Sequence, residues 1–316
     1  MYDLIKSTNK EVAQSVSDAQ IVEWFIDTVD VGNGTKATYK RNLQPWLTFL
    51  SATNETILGA TRETVLAYKN YLEQDGKKPA TINTYVVTVR RLYVALESEG
   101  VKPNIASNVK SIRRAHNTTK DALTIEQTRA LLARKPEEGA TLESLRNYAI
   151  INLMVRRGLR TCEVSRANIG DIRQINGHAV LYVQGKGYSE KSDFVVLNNE
   201  CLLPIYRYLN ARNCRDLEAP LFASIGNRNK DGRMVTRTLS RIVKNALKSI
   251  GVCSPTITAH SLRHTAVTLA LIGEAPLQDV QAMARHKSIN TTMIYAHNLQ
   301  RMQATAESAI DRVISA

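Results

Sequence analysis

Between residues 172 and 197 the apolar pattern of this chain changes period, and that change constrains its fold class more than any other stretch. The runs I-R-Q-I, H-A-V-L-Y-V and D-F-V-V-L alternate as strands do, and Asn176-Gly177 between the first two is a hairpin signal. On either side the spacing is helical. Ser17 can cap a helix carrying Ile21, Val22, Phe25 and Ile26. Thr35 precedes one carrying Tyr39, Leu43, Trp46 and Leu47, which Pro45 is expected to bend or split. Thr61 opens a third helix that stops at Gly76. Pro79 starts a fourth, with Ile82, Tyr85, Val86, Val89, Leu92, Tyr93 and Leu96 on one face and Gly100 at its end. Beyond residue 120, L-T-I-E-Q at 123 to 127 reads as a helix start, and helices are expected from Leu142 to Arg157, from Asn199, and from Thr236 to Ile250. The pattern predicts a mainly α protein with one small antiparallel sheet.

The 316 residues, 43% of them hydrophobic, are enough for two domains. Residues 1–100 read as a helical unit and 121–316 as an α+β unit. Residues 101–120 hold five Lys+Arg and no acid, and read as a flexible basic linker that would let two domains close around a duplex. The formal net charge is +13. It is unevenly divided: residues 1–120 hold 16 Lys+Arg against 12 Asp+Glu, and the remainder 26 against 17. Such a balance favours a polyanionic partner, with most of the field in the second unit. The four scattered cysteines have no paired spacing and read as reduced thiols. With no apolar signal core at the start and no segment of membrane-spanning length, a cytoplasmic protein with no membrane partner is expected.

Three stretches carry the chemistry: R-R-G-L-R-T-C-E-V (156–164), T-A-H-S-L-R-H (258–264) and A-R-H-K-S-I-N-T-T-M-I-Y-A-H (284–297). In-line attack on a phosphodiester spreads negative charge over its non-bridging oxygens, so a site for it needs fixed donors there. Arg160 and Arg263 suit that task because a guanidinium stays protonated and matches phosphate oxygens in a planar fork, so that no metal is required. Tyr295 would be the nucleophile, and a phenol with a pKa of about 10 needs a base or a strongly positive surrounding. His260 is expected as the base and His286 as a hydrogen-bond donor to the phosphate. Lys186, in the G-K-G turn at 185 to 187, would protonate the departing oxygen. Glu163, one helical turn after Arg160, would hold that arginine. Each group alone has a plainer reading. Arg160 and Glu163 can be a surface pair, Tyr295 a core tyrosine, and His260 with His264 a zinc pair that lacks the usual accompanying ligands.

Taken together, G-L-R-T-C-E-V, V-Q-G-K-G-Y-S-E-K (183–191), H-S-L-R-H and H-K-S-I-N-T-T-M-I-Y-A-H, in this order, make the chain resemble the tyrosine recombinases of the phage-integrase and Xer type over essentially its whole length. That resemblance implies a helical core-DNA-binding clamp domain followed by an α+β catalytic domain. It implies cutting of one strand through a covalent 3'-phosphotyrosyl enzyme and rejoining to a new 5'-hydroxyl, without cofactor. It also implies double-stranded DNA with specific core sites as partner, a homo-tetramer on two sites, and a C-terminal helix docking on a neighbouring protomer. The face Met302, Ala306, Ala309, Ile310 and Val313 would serve that docking. The resemblance sets His264 in a structural role. The chain departs from the family in carrying Ala284-Arg285 where Leu-Gly is common, and Lys191 shares the hairpin with Lys186. Lys36, Lys40, Arg41, Arg90, Arg91, Arg113 and Arg114 are candidate backbone-phosphate contacts.

Integration, excision, inversion and dimer resolution are all open to such an enzyme, whether or not it belongs to a mobile element. About sixteen residues precede the clamp, too few for an arm-binding domain, which favours a simple recombinase or invertase. A type IB topoisomerase-like enzyme and a non-catalytic DNA-binding regulator are the readings from other classes. The helix after Tyr295 speaks against the first and the complete residue set against the second.

Overall fold

The computed structural model describes residues 16–113, 122–185, 190–302 and 305–315. The chain divides into two compact units, Met1–Thr118 and Thr119–Ala316.

The first unit contains α1 (Asp18–Thr28), α2 (Asn33–Ala52), α3 (Arg62–Gln74) and α4 (Pro79–Ser98). Local chemistry sets their ends. The Ser17 hydroxyl accepts from the Gln20 N–H while Gln20 Oε1 accepts from the Ser17 N–H, and Thr61 and Thr64 make the equivalent pair at α3. Gly76 and Gly100, at φ of 70° and 71°, follow α3 and α4. Trp46, Leu50, Tyr68, Leu92 and Tyr93 fill the core, and the Tyr93 hydroxyl donates to the Ile57 carbonyl at 2.9 Å. Pro45 does not split α2, which begins two residues before Thr35 and runs unbroken to Ala52. Proline removes one N–H, and the fully buried Leu43, Trp46 and Leu50 hold the helix on both sides of it.

The expected linker differs from what is seen. Residues 101–113 pack on the first unit, with Ala106 and Val109 buried in its core. Their backbone is tied down by side chains: Arg90 Nε and Nη2 donate to the carbonyls of Ala106 and Val109, and Asn83 exchanges two bonds with Ile112. Residues 114–120, including Arg114, lie outside the described residues.

In the second unit α5 (Ile125–Ala133) and α6 (Leu142–Arg157) lead into the six-residue α7 (Thr161–Arg166). The sheet follows as β1 (Ile172–Ile175), β2 (His178–Val183) and β3 (Asp193–Val196), antiparallel with β2 central. Ile175 pairs with His178 across Asn176 and Gly177, whose φ of 49° and 80° suit the two-residue turn that the Asn-Gly signal predicts. Then come α8 (Asn199–Arg212), α9 (Thr236–Ser249), α10 (Ala259–Ile272), α11 (Leu277–Ala284), α12 (Ile289–Met302) and α13 (Thr305–Ile314). The mostly buried α6 packs against α8 and α10, and Val267, Val280 and Ala284 form a small cluster on which Tyr295 rests. Among the described residues no helix is long and apolar enough to cross a membrane.

Candidate active site

The site is assembled where α6 ends. Gly158 stops that helix at φ 59°, and a side chain there would meet Ala266 Cβ at 3.4 Å and Arg263 Cγ at 3.7 Å. Glycine thus allows both the left-handed turn and the close approach of α10. Two residues on, Arg160 caps α7 and its N–H donates to Glu163 Oε2 at 2.8 Å. The same carboxylate accepts from Arg160 Nη1 at 2.6 Å. On α10, His260, Arg263 and His264 share one face by their spacing of three and four. Arg263 is 2% exposed; its Nη1 donates to the Gly158 carbonyl at 2.7 Å and its Nη2 to the Ala284 carbonyl. Burial, then Arg160 and Arg285, pull its pKa down to about 9, still above neutrality.

After α11 the backbone turns left-handed at Arg285, φ 51°, and carries His286 to the start of α12. His286 Nδ1 lies 2.9 Å from the buried Thr292 hydroxyl. Burial and the guanidiniums of Arg263, Arg160 and Arg285 lower its pKa to about 4, so the ring is neutral at physiological pH. If Nδ1 accepts from Thr292, Nε2 bears the proton. The Tyr295 ring centroid lies 5.3 Å from that of His264 and 6.2 Å from that of His286, and its hydroxyl is hydrogen-bonded to His264 Nδ1. Burial raises the phenol pKa against the opposing pull of Arg263, so the Tyr295 hydroxyl is protonated at neutral pH. Arg157, Arg160, Gly185, Asp193, His286 and Lys287 are among the residues lining a cleft of about 1210 Å³.

Arg160, Glu163, Arg263, His286 and Tyr295, from three separate stretches, therefore meet. His260 is exposed, and its ring lies 4.6 Å edge-on from that of His264, the residue bonded to Tyr295. Lys186 lies outside the described residues, although Gly185 before it lines the cleft. Lys191 pairs with Asp171 at 2.6 Å. Sequence reasoning missed two contributors. His264 bonds the tyrosine, and its i, i+4 spacing from His260 was the available signal. Arg285 pairs with Glu163 at 2.7 Å, and nothing in its neighbours announces that partner. Of the expected DNA contacts, Arg41, Arg91 and Arg113 are exposed, Lys36 donates to the Asp27 carbonyl, Lys40 pairs with Glu23 at 2.5 Å, and Arg90 serves the carbonyls described above.

The chain has known relatives. The sequence matches the Phage integrase family over residues 121–302 and the Phage integrase N-terminal SAM-like domain over residues 28–100. The tyrosine recombinase XerC of Pelobacter propionicus is 31% identical over 281 residues, 87% of this chain and 88% of that protein. The tyrosine recombinase XerD of Rhizobium meliloti is 26% identical over 292 residues, covering 89% and 92%. In structure, the post-cleavage complex of XerH site-specific recombinase bound to palindromic difH substrate superposes with a TM-score of 0.73 at 20% identity, covering 97% of this chain and 94% of that one. A lambda integrase dimer bound to a COC' core site gives 0.66 at 16% identity, covering 92% and 81%, and these two likenesses speak to fold. The chain belongs to the phage integrase family, as an Xer-like site-specific tyrosine recombinase.

Proposed function

We propose that this recombinase cuts a DNA strand by attack of the Tyr295 hydroxyl on a phosphodiester, forming a 3'-phosphotyrosyl bond, and rejoins it when a 5'-hydroxyl attacks in turn. One observation carries the reading: a protonated tyrosine, two guanidiniums and a neutral histidine converge from three distant stretches beside an open cleft. Arg160 and Arg263 hold the non-bridging oxygens and offset the charge that develops on them. His286 gives a neutral N–H to the same phosphate. Tyr295 loses its proton to the His260–His264 pair, of which His264 bonds the hydroxyl and His260 reaches solvent. Lys186 protonates the leaving 5'-oxygen. The partner is a duplex with specific core sites, met in the helical unit by basic side chains such as Arg41, Arg91 and Arg113. A homo-tetramer on two sites completes the assembly, with α13 of each protomer covering its apolar side chains on a neighbour.

The test is a suicide duplex nicked beside the core site, the site being taken from adducts mapped on genomic DNA. Tyr295→Phe should bind it with unchanged affinity and form no covalent adduct. An adduct of parental yield in this variant, or one mapped to Tyr182 or Tyr188, would overturn the proposal.

A further inference from the structure

Arg285 is a third guanidinium of this site, and its position is a costly one. Its backbone is left-handed, which disfavours a residue with a Cβ, and its side chain is only 3% exposed. Its donors are nevertheless occupied. Nε and Nη2 reach Glu163 Oε1 and Oε2 at 3.3 and 2.7 Å, Nη1 reaches the Met283 carbonyl at 2.6 Å, and Nη2 also lies 3.3 Å from the Gly158 carbonyl.

The distribution of bonds on Glu163 gives this arrangement its meaning. That carboxylate is fully buried, and burial pushes its pKa up, but Arg285 first and then Arg160 hold it below the ordinary value. Each oxygen accepts two bonds: Oε1 from Arg160 Nη1 and Arg285 Nε, Oε2 from the Arg160 N–H and Arg285 Nη2. A buried carboxylate has about four lone-pair sites, so the set is full. Arg160 gives it one side-chain bond, and the second nitrogen of its fork turns to the Arg285 carbonyl at a long 3.3 Å. Were the two bonds from Arg285 lost, the nearest guanidinium able to replace them is Arg160, and fork-to-carboxylate pairing is the strongest geometry open to it.

We propose that Arg285 is a positioning residue for strand cleavage: by occupying half of Glu163 it limits Arg160 to a one-point contact and leaves the rest of that fork to the scissile phosphate. The inference rests on the reading of Arg160 as a phosphate donor. It differs from a purely structural clip between the α6–α7 turn and the α11–α12 turn, because the harm done by losing Arg285 would come from Glu163 pulling Arg160 away. Neutralising Glu163 should then help a protein that lacks Arg285.

Single-turnover cleavage of the nicked duplex, measured with DNA affinity and melting temperature, distinguishes the two. Arg285→Gly, which relieves the left-handed backbone, should fold, bind DNA within about twofold of the parent, and cleave roughly 10- to 100-fold more slowly, an effect on the chemical step and not on binding. Adding Glu163→Gln should recover about fivefold or more, a sign reversal that independent or clip-like losses do not give. Parental cleavage by Arg285→Gly, or a double variant no faster than the single one, overturns the proposal. If Arg285→Gly does not fold, Arg285→Lys supplies the same cycle, because an ammonium keeps the charge without the fork. Tyr295→Phe run in parallel reports on the underlying reading alone.

Discussion

Arg263 shows how much one side chain is asked to do. It is buried beside two other guanidiniums and a single carboxylate, and its donors hold the main chain of both flanking motifs. Arg263→Ala should therefore lose on both counts: cleavage slowed about a hundredfold or more, as when a fixed oxyanion donor is removed, and stability reduced by about 2–4 kcal/mol because the Gly158 and Ala284 carbonyls lose a charged partner. Cleavage kinetics with a urea titration check the two losses separately. Since guanidiniums supply the positive charge, cleavage should persist in EDTA, and strict dependence on magnesium or zinc would refute that. His286 gives a pH prediction. Its folded pKa of about 4 lies below the ordinary 6.5, so between those values the unfolded chain binds more protons than the folded one. Its contribution is complete above about pH 6.5 and is lost as pH falls towards 4. Melting temperatures across that window should fall less steeply on acidification for His286→Gln than for the parent, and equal slopes would count against it.

The elements that were legible in sequence are those with a chemical signal at one end or both. Ser17, Thr61 and Thr124 cap helices, Pro79 opens one, and Asn176-Gly177 turns the hairpin where expected. Two features were not legible. Ala106 and Val109 are isolated apolar residues in a basic stretch with no period, so nothing in their spacing says that Arg90 and Asn83 tie that stretch to the first unit. In the site, the motif residues could be placed but their partners could not: α7 is too short for periodicity, and the Glu163–Arg285 pair spans 122 residues. The hairpin carries a prediction of its own. If Lys186 protonates the leaving oxygen, a bridging sulfur in its place should restore cleavage to Lys186→Ala, because sulfur departs without that proton. Lys191→Ala should cleave nearly normally and lose stability, because it leaves the buried Asp171 carboxylate without its cation. Sulfur rescue of the Lys191 variant instead would exchange the two roles.

At the scale of the whole molecule, α13 presents Ile310, Val313 and Ile314 at 58, 79 and 78% exposure. Such a face contributes binding energy only when something covers it. If a neighbouring protomer does so, removing residues 305–316 should leave binding to one core site unchanged and abolish two-site synapsis and strand exchange. Light scattering on protein with two-site DNA reads the outcome, and undiminished synapsis would exclude the docking role. The net charge of +13 adds a second expectation for the same complexes, that affinity falls steeply with salt as counterions return to the DNA.

The carbonyls of Gly158, Ala284 and Arg285 each accept from a site guanidinium. A grip on main chain is indifferent to what the gripped residue displays. The backbone contacts therefore do not themselves specify the side chains at positions 284 and 285; what restricts those positions is the burial of Ala284 and the bonds that the Arg285 side chain makes to Glu163.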